Sequence, residues 1–198
     1  MNIKIKDKKV GAILTDQRCG STTLCGYIDQ LKGIQCLYEA FSANGSLYSS
    51  KITYPLEDYI NRKMEKMPWL SEKKHIVIKF IKSHRNILDQ FLQENLIDYA
   101  IVLTRDPEDS YKSLYKSLST GDWSTNPEQR KNKSGITGYK IPKNKIIKKQ
   151  EYLKQSKAWS DYIKNKLKFY NINSVNITFE EVIKKEFDIN ETITYKKR

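Results

Sequence analysis

Arg18-Cys19-Gly20-Ser21-Thr22-Thr23 sets a cation, a glycine and three hydroxyl residues in a row. The run falls where an apolar stretch, residues 10–15, gives way to an amphipathic one, residues 21–32. A strand that turns through glycine into a helix N-terminus makes an anion cradle. Its backbone N–H groups point outward, the helix dipole favours negative charge, and the hydroxyls add donors. The turn is not a Walker A loop, because the lysine of GxxxxGK[ST] and its spacing are absent. Taken alone, the same residues also fit an ordinary N-capped helix, and both readings stand at this point.

Other side chains of reactive type fall at similar places. Arg105 follows the apolar run 99–104, and Ser113 lies two turns into the amphipathic stretch after it. A forked guanidinium at the end of a strand grips a phosphate well. Arg105 could equally pair with Asp106 or Asp109, and Ser113 could be a plain helix residue. Lys79 closes the run His75-Ile76-Val77-Ile78 and is either a cation at the same sheet edge or an outward-facing lysine on an edge strand. For a proton acceptor there are two candidates. Glu39 follows the second predicted strand, where a carboxylate can serve as a general base. His84 follows the third and needs no tuning to act near pH 7, but it also fits a helix start with no role. The run Arg130-Lys131-Asn132-Lys133 could close over a phosphate; most such charge runs are solvated.

The elements that must position these residues alternate along the chain. Strands are predicted at 10–15, 34–38, 75–81, 99–104 and 175–178, and helices at 21–32, 56–67, 87–95, 107–119, 147–170 and 179–185. Asp106 reads as a cap with Pro107 in the first turn. Tyr152, Trp159, Ile163 and Leu167 mark one buried helix face. Between 121 and 145 periodicity is lost, which reads as a long loop. The alternation predicts an α/β domain of three αβα layers around a mostly parallel sheet, in which ligands bind beyond the carboxyl ends of the strands. The 198 residues fit one domain, with its core at about 10–185 and a short basic tail ending Lys196-Lys197-Arg198.

The first phosphate-binding stretch resembles the 5′-phosphosulfate loop of sulfotransferases that use 3′-phosphoadenosine-5′-phosphosulfate (PAPS), Arg/Lys-Ser-Gly-Ser/Thr-Thr after the first strand. Cys19 stands where the family carries Ser. Arg105-Asp106-Pro107-Glu108-Asp109-Ser110-Tyr111-Lys112-Ser113 resembles the family's 3′-phosphate motif, an Arg at a strand end with a Ser eight residues on. Thr23 stands where the cytosolic branch has Trp, so the chain looks more like the branch of the bacterial trehalose and the tyrosylprotein sulfotransferases. Cys36-Leu37-Tyr38-Glu39-Ala40-Phe41 is similar to that branch's glutamate segment, and Ile81-Lys82-Ser83-His84 to the Lys-Thr-His of the cytosolic enzymes. Thr120-Gly121-Asp122-Trp123 looks like a TGxW segment. Ile177-Thr178-Phe179-Glu180-Glu181-Val182 resembles the family's Tyr-Glu-Asp-Leu ending, with Phe179 in place of Tyr.

The resemblance spans residues 10–185 and implies a P-loop-like sulfotransferase fold. It also implies PAPS as co-substrate and transfer of a sulfuryl group to a hydroxyl of a sugar, another small molecule or a peptidyl tyrosine. By that resemblance Arg18, Glu39, Lys79 and His84 are the catalytic candidates, and Arg18, Cys19, Gly20, Ser21, Thr22, Thr23, Arg105 and Ser113 hold the cofactor. Two alternatives remain: nucleotide binding without turnover, and a basic nucleic-acid-binding module. The net charge of +13 calls for an anionic partner without naming it, but no recognisable nucleic-acid motif appears. Cys19, Cys25 and Cys36 form no CxxC pair, and His75 and His84 are not spaced with them as zinc ligands, so no metal is expected. No apolar run is long enough to span a membrane. The N-terminus has no apolar signal core, so the cytoplasm is the expected compartment.

Overall fold

The computed structural model describes residues 4–38, 40, 41, 46, 47, 55–121 and 140–187. Glu39, the 130–133 run, Asp122, Trp123 and the basic tail lie outside these residues. The chain forms two compact units, one of Met1–Thr104 with Tyr162–Arg198 and one of Arg105–Asp161.

The first unit holds the sheet. Its strands are β1 (Lys9–Thr15), β2 (Ile34–Leu37), β3 (His75–Phe80), β4 (Tyr99–Thr104) and β5 (Asn173–Thr178), in the order β2-β3-β1-β4-β5. Every pairing is parallel, where the sequence predicts a mostly parallel sheet. Strands buried on both faces read as continuous apolar runs. β1 and β4 do so, whereas the edge strand β5 exposes Asn173, Ser174, Asn176 and Thr178. Polar side chains hid its first two residues from a pattern reading, yet Asn173 and Ser174 pair with Tyr99 and Ala100 through the backbone.

Helices cover both faces of this sheet. Ile13, Val77, Ile101 and Ile177 pack with Leu24, Cys25 and Ile28 of α1 (Ser21–Ile28) and with Val182 of α6 (Phe179–Lys184). Side chains alternate along a strand, so Phe80 faces the other way. It meets Phe41 and Phe91, the latter on α3 (Arg85–Gln93), with ring centroids 5.9 and 5.2 Å away. Ahead of β3 runs α2 (Leu56–Met64). α1 stops four residues short of the predicted 32, because Asp29 Oδ1 accepts hydrogen bonds from Cys36 N–H (2.6 Å) and Gln35 Nε2 (3.1 Å), and Gly33 turns the chain at φ 81°. β1 leads to β2 on one side of the sheet, while its neighbour β4 precedes β5 on the other. Such a switch opens a crevice beyond the carboxyl ends of the two strands.

The second unit contains α4 (Pro107–Thr120) and the first part of α5 (Lys149–Phe169). Asp106 Oδ1 caps α4 by accepting from the N–H groups of Glu108 (2.9 Å) and Asp109 (3.0 Å), the start that Asp-Pro predicts. Tyr111 lies against Tyr152, ring centroids 5.5 Å apart, and its hydroxyl donates to the Ile147 carbonyl at 3.2 Å. Tyr152, Trp159, Ile163 and Leu167 of α5 are all buried.

Back in the first unit, Asp89 of α3 ties that helix to the last turns of α5. Its Oδ1 accepts from the Tyr162 hydroxyl at 2.8 Å and pairs with Lys166, and the Arg85 guanidinium stacks on the Tyr162 ring, 4.3 Å from its centroid. Burial alone would raise the Asp89 carboxyl. The hydrogen bonds from Lys166 and Tyr162, with the charges of Lys166 and Arg85, outweigh it and hold the group below the ordinary carboxylate value. A carboxyl held low in the folded state contributes stability above its unfolded value, and that stability is lost as pH falls through the lowered one. Asp89→Asn should therefore flatten the acid limb of a pH–stability curve measured by urea unfolding, with little change in its slope above pH 7.

Candidate active site

The loop after β1 is shaped by two left-handed residues. Arg18 has φ 66° and Gly20 φ 81°. A left-handed non-glycine residue costs about 1–2 kcal/mol, so the surroundings must hold Arg18 there. Just ahead of it, the buried Asp16 accepts through Oδ1 from Gln17 N–H at 2.8 Å. Gly20 is the N-cap of α1 and brings no side chain to cap it. Thr23 and Leu24 N–H donate back to Gly20 O at 3.0 and 3.1 Å. The N–H groups ahead of them form the helix end that an anion can occupy. Around this end Ser21 is buried, Thr23 and Arg18 are half-buried, and Thr22 is exposed. Cys19 is buried, its Sγ 3.9 Å from the Gln17 carbonyl, so it contributes the loop's backbone rather than a side-chain donor.

A contact on the loop comes from the far end of the chain. A Cβ placed on Gly20 would stand 2.4 Å from Cδ2 and 2.7 Å from Cε2 of Phe179, so the ring lies directly across the glycine. Phe179 is the first residue of α6, immediately after β5. The sequence marks Phe179 only through the resemblance of residues 177–182 to the Tyr-Glu-Asp-Leu ending; the start of α6 is held by a reciprocal capping box between Thr178 and Glu181.

Lys79 is placed on β3 opposite Ile13 of β1, on the face that carries α1. It is 2% exposed and β3 lies between β2 and β1, which removes the alternative of an outward-facing lysine on an edge strand. Its charge is felt by Cys36 on the neighbouring strand. There the Cys25 thiol, hydrogen-bonded to Cys36, and then burial push the Cys36 thiol well up, with Lys79 acting weakly in the opposite direction. Cys19, Cys25 and Cys36 form no disulfide, and all three are buried.

His84 ends the 3-10 turn that starts α3 and is buried, edge-on to Phe41 with centroids 6.3 Å apart. It thus belongs to the aromatic face of the sheet, opposite the one bearing Lys79. Arg105 follows β4 directly, and Ser113 lies in α4; both are half-buried. Asp106 caps α4, and Asp109 pairs with Lys112 at 2.9 Å while also feeling the charge of Arg105. Among the described residues no three His, Cys, Asp or Glu side chains gather as metal ligands would, and no helix is long and apolar enough to cross a membrane.

By sequence the chain matches no family model and no curated protein. By structure it is similar to a sulfotransferase from Alicyclobacillus acidocaldarius, with a TM-score of 0.52 and 16% identity over 90% of this chain and 76% of that one. It is also similar, more distantly, to a deoxyadenosine kinase from M. mycoides with bound dCTP, with a TM-score of 0.41 and 14% identity over 93% of this chain and 94% of that one. The fold is the α/β, P-loop-like architecture of the sulfotransferase, here with five parallel strands.

Two left-handed glycines, Gly20 and Gly33, separate backbone strain from ring contact. Gly33 shares φ 81° with Gly20 but has nothing within 4 Å of a built Cβ. Gly33→Ala should cost about 1–2 kcal/mol for the left-handed backbone, and Gly20→Ala should add ~1–3 kcal/mol for displacing the ring. Equal losses in denaturant midpoint would mean that Phe179 yields freely.

Proposed function

We propose that the chain is a PAPS-dependent sulfotransferase that moves the sulfuryl group to a hydroxyl of a sugar, another small molecule or a peptidyl tyrosine. The observation that carries this reading is the uncapped, left-handed Arg18–Gly20 turn at the carboxyl end of the central strand. It is built to receive an anion and lacks the Walker lysine of a nucleoside triphosphate site. In the proposed reaction the acceptor oxygen forms a bond to sulfur as the bond from sulfur to the 5′-phosphate oxygen breaks. 3′-Phosphoadenosine-5′-phosphate leaves, and the acceptor proton passes to a base. Arg18 and Lys79 would offset charge on the leaving phosphate, since positioning and electrostatics should dominate such a transfer. The loop 18–23 would hold the 5′ group, and Arg105 with Ser113 the 3′-phosphate. Glu39 is assigned as the base ahead of His84, whose ring is packed against Phe41.

A second reading, nucleotide binding without turnover, is favoured by Cys19. It replaces the hydroxyl of the motif with an inward-turned thiol.

Three outcomes test the assignment. At ~100-fold excess over its dissociation constant, 3′-phosphoadenosine-5′-phosphate should add about 2.7 kcal/mol of stability, far more than AMP or ATP at equal concentration; equal thermal shifts would remove the 3′-phosphate site. Arg105→Ala should weaken that binding by ~1.5–3 kcal/mol, the usual value for a hydrogen bond to a charged group, with a smaller effect on folding. Glu39→Gln should lower turnover by ~10²–10⁴-fold with cofactor affinity nearly intact, beside a mild His84→Ala. The reverse ranking would give histidine the base role.

A further inference from the structure

We propose that Phe179 is a positioning residue for the phosphate loop, its ring acting as the stop that holds the Arg18–Gly20 turn in its anion-receiving shape. The proposal deepens the reading above and rests on it for the identity of the ligand. Its geometric basis is independent of that reading: the ring atoms Cδ2 and Cε2 fill the space that any side chain at residue 20 would need.

The ring is itself fixed from behind. Thr178 N–H donates to Glu181 Oε2 at 2.6 Å, the Thr178 hydroxyl donates to the same oxygen at 2.8 Å, and Glu181 N–H donates back to Thr178 Oγ1 at 3.2 Å. These bonds, the Thr178 backbone N–H first, hold the Glu181 carboxyl below its ordinary value, so the box is closed at neutral pH. On either side of the ring, Ile177 and Val182 are buried in the cluster that includes Leu24, Cys25 and Ile28 of α1. The end of β5 and the start of α6 are therefore packed into the same core as the helix behind the loop. Phe179 is the side chain through which they meet the turn. Gly20 takes its φ of 81° freely, whereas the left-handed Arg18 two residues before it is kept there only by its surroundings; the ring closes the space beside Gly20, and Asp16 accepts from Gln17 N–H just ahead of Arg18.

The test uses the full chain with Phe179→Ala, Phe179→Leu and Phe179→Tyr. Amide hydrogen exchange comes first, because it needs no ligand. Phe179→Ala should speed exchange at residues 18–24 by ~10-fold or more through local opening, while amides of β1, β3 and β4 stay at wild-type rates and Phe179→Tyr restores the loop. If Phe179→Ala does not fold, Phe179→Leu carries the same expectation, since a flexible side chain cannot span the glycine as a flat ring does. Unchanged loop exchange in both would overturn the proposal.

Binding of 3′-phosphoadenosine-5′-phosphate and of inorganic pyrophosphate, which has no base, comes second. Both should weaken by a similar factor in Phe179→Ala. Weakening of the nucleotide alone would make the ring a base contact and also overturn the proposal. Failure of the wild-type chain to bind either ligand would sink the sulfotransferase reading and leave the exchange result to decide the role of Phe179.

Discussion

A parallel strand in the middle of a sheet must leave it abruptly, because the neighbouring strands continue on both sides and the next helix has to run back antiparallel. In this protein that constraint falls on β1, flanked by β3 and β4. The exit is made by two left-handed residues, and the helix beyond it begins on a glycine that cannot cap it. The same geometry that lets the chain turn thus brings no side chain from the N-cap to the N–H groups at the start of the helix. Every other feature of the site is arranged around that exit: the ring across Gly20, the carboxylate of Asp16 on Gln17, and the buried Lys79 one strand away.

Electrostatics gives the exit its preference. A helix end carries partial positive charge, and Arg18 and Lys79 add two full charges close to the carboxyl edge of β1 and β3. Lys79 is 2% exposed, unlike the exposed lysines that carry most of the net charge. The +13 excess is largely a property of exposed faces such as that of α5, and it speaks to association with anions in general.

Much of this was legible in the residues, for reasons that can be named. β4 is recovered residue for residue because both its faces are buried and its apolar run is bounded by polar residues. The start of α4 is announced by Asp106-Pro107, a local signal that forms as a local hydrogen bond. The loop itself could be placed because strand, glycine and hydroxyl run are contiguous. Apart from element ends that differ by a few residues, as at α2 (Leu56–Met64 against the predicted 56–67), the failures are long-range. The first residues of β5 are polar and pair by backbone alone, α1 is cut short by a bond from Asp29 to the next strand, and the interior place of β3 follows from strand order, which no local pattern carries. Phe179 meets Gly20 from the far end of the chain, so nothing in its own neighbourhood could reveal the contact.

The most direct measurement of the central claim is a crystal structure of the chain with 3′-phosphoadenosine-5′-phosphate. The account predicts the 5′-phosphate seated on the N–H groups at the start of α1, within hydrogen-bond distance (about 2.7–3.2 Å) of Gly20–Thr23, with the Arg18 guanidinium and the Lys79 ammonium group turned toward it. A nucleotide bound elsewhere, with the Arg18–Gly20 turn empty or closed by its own side chains, would contradict it.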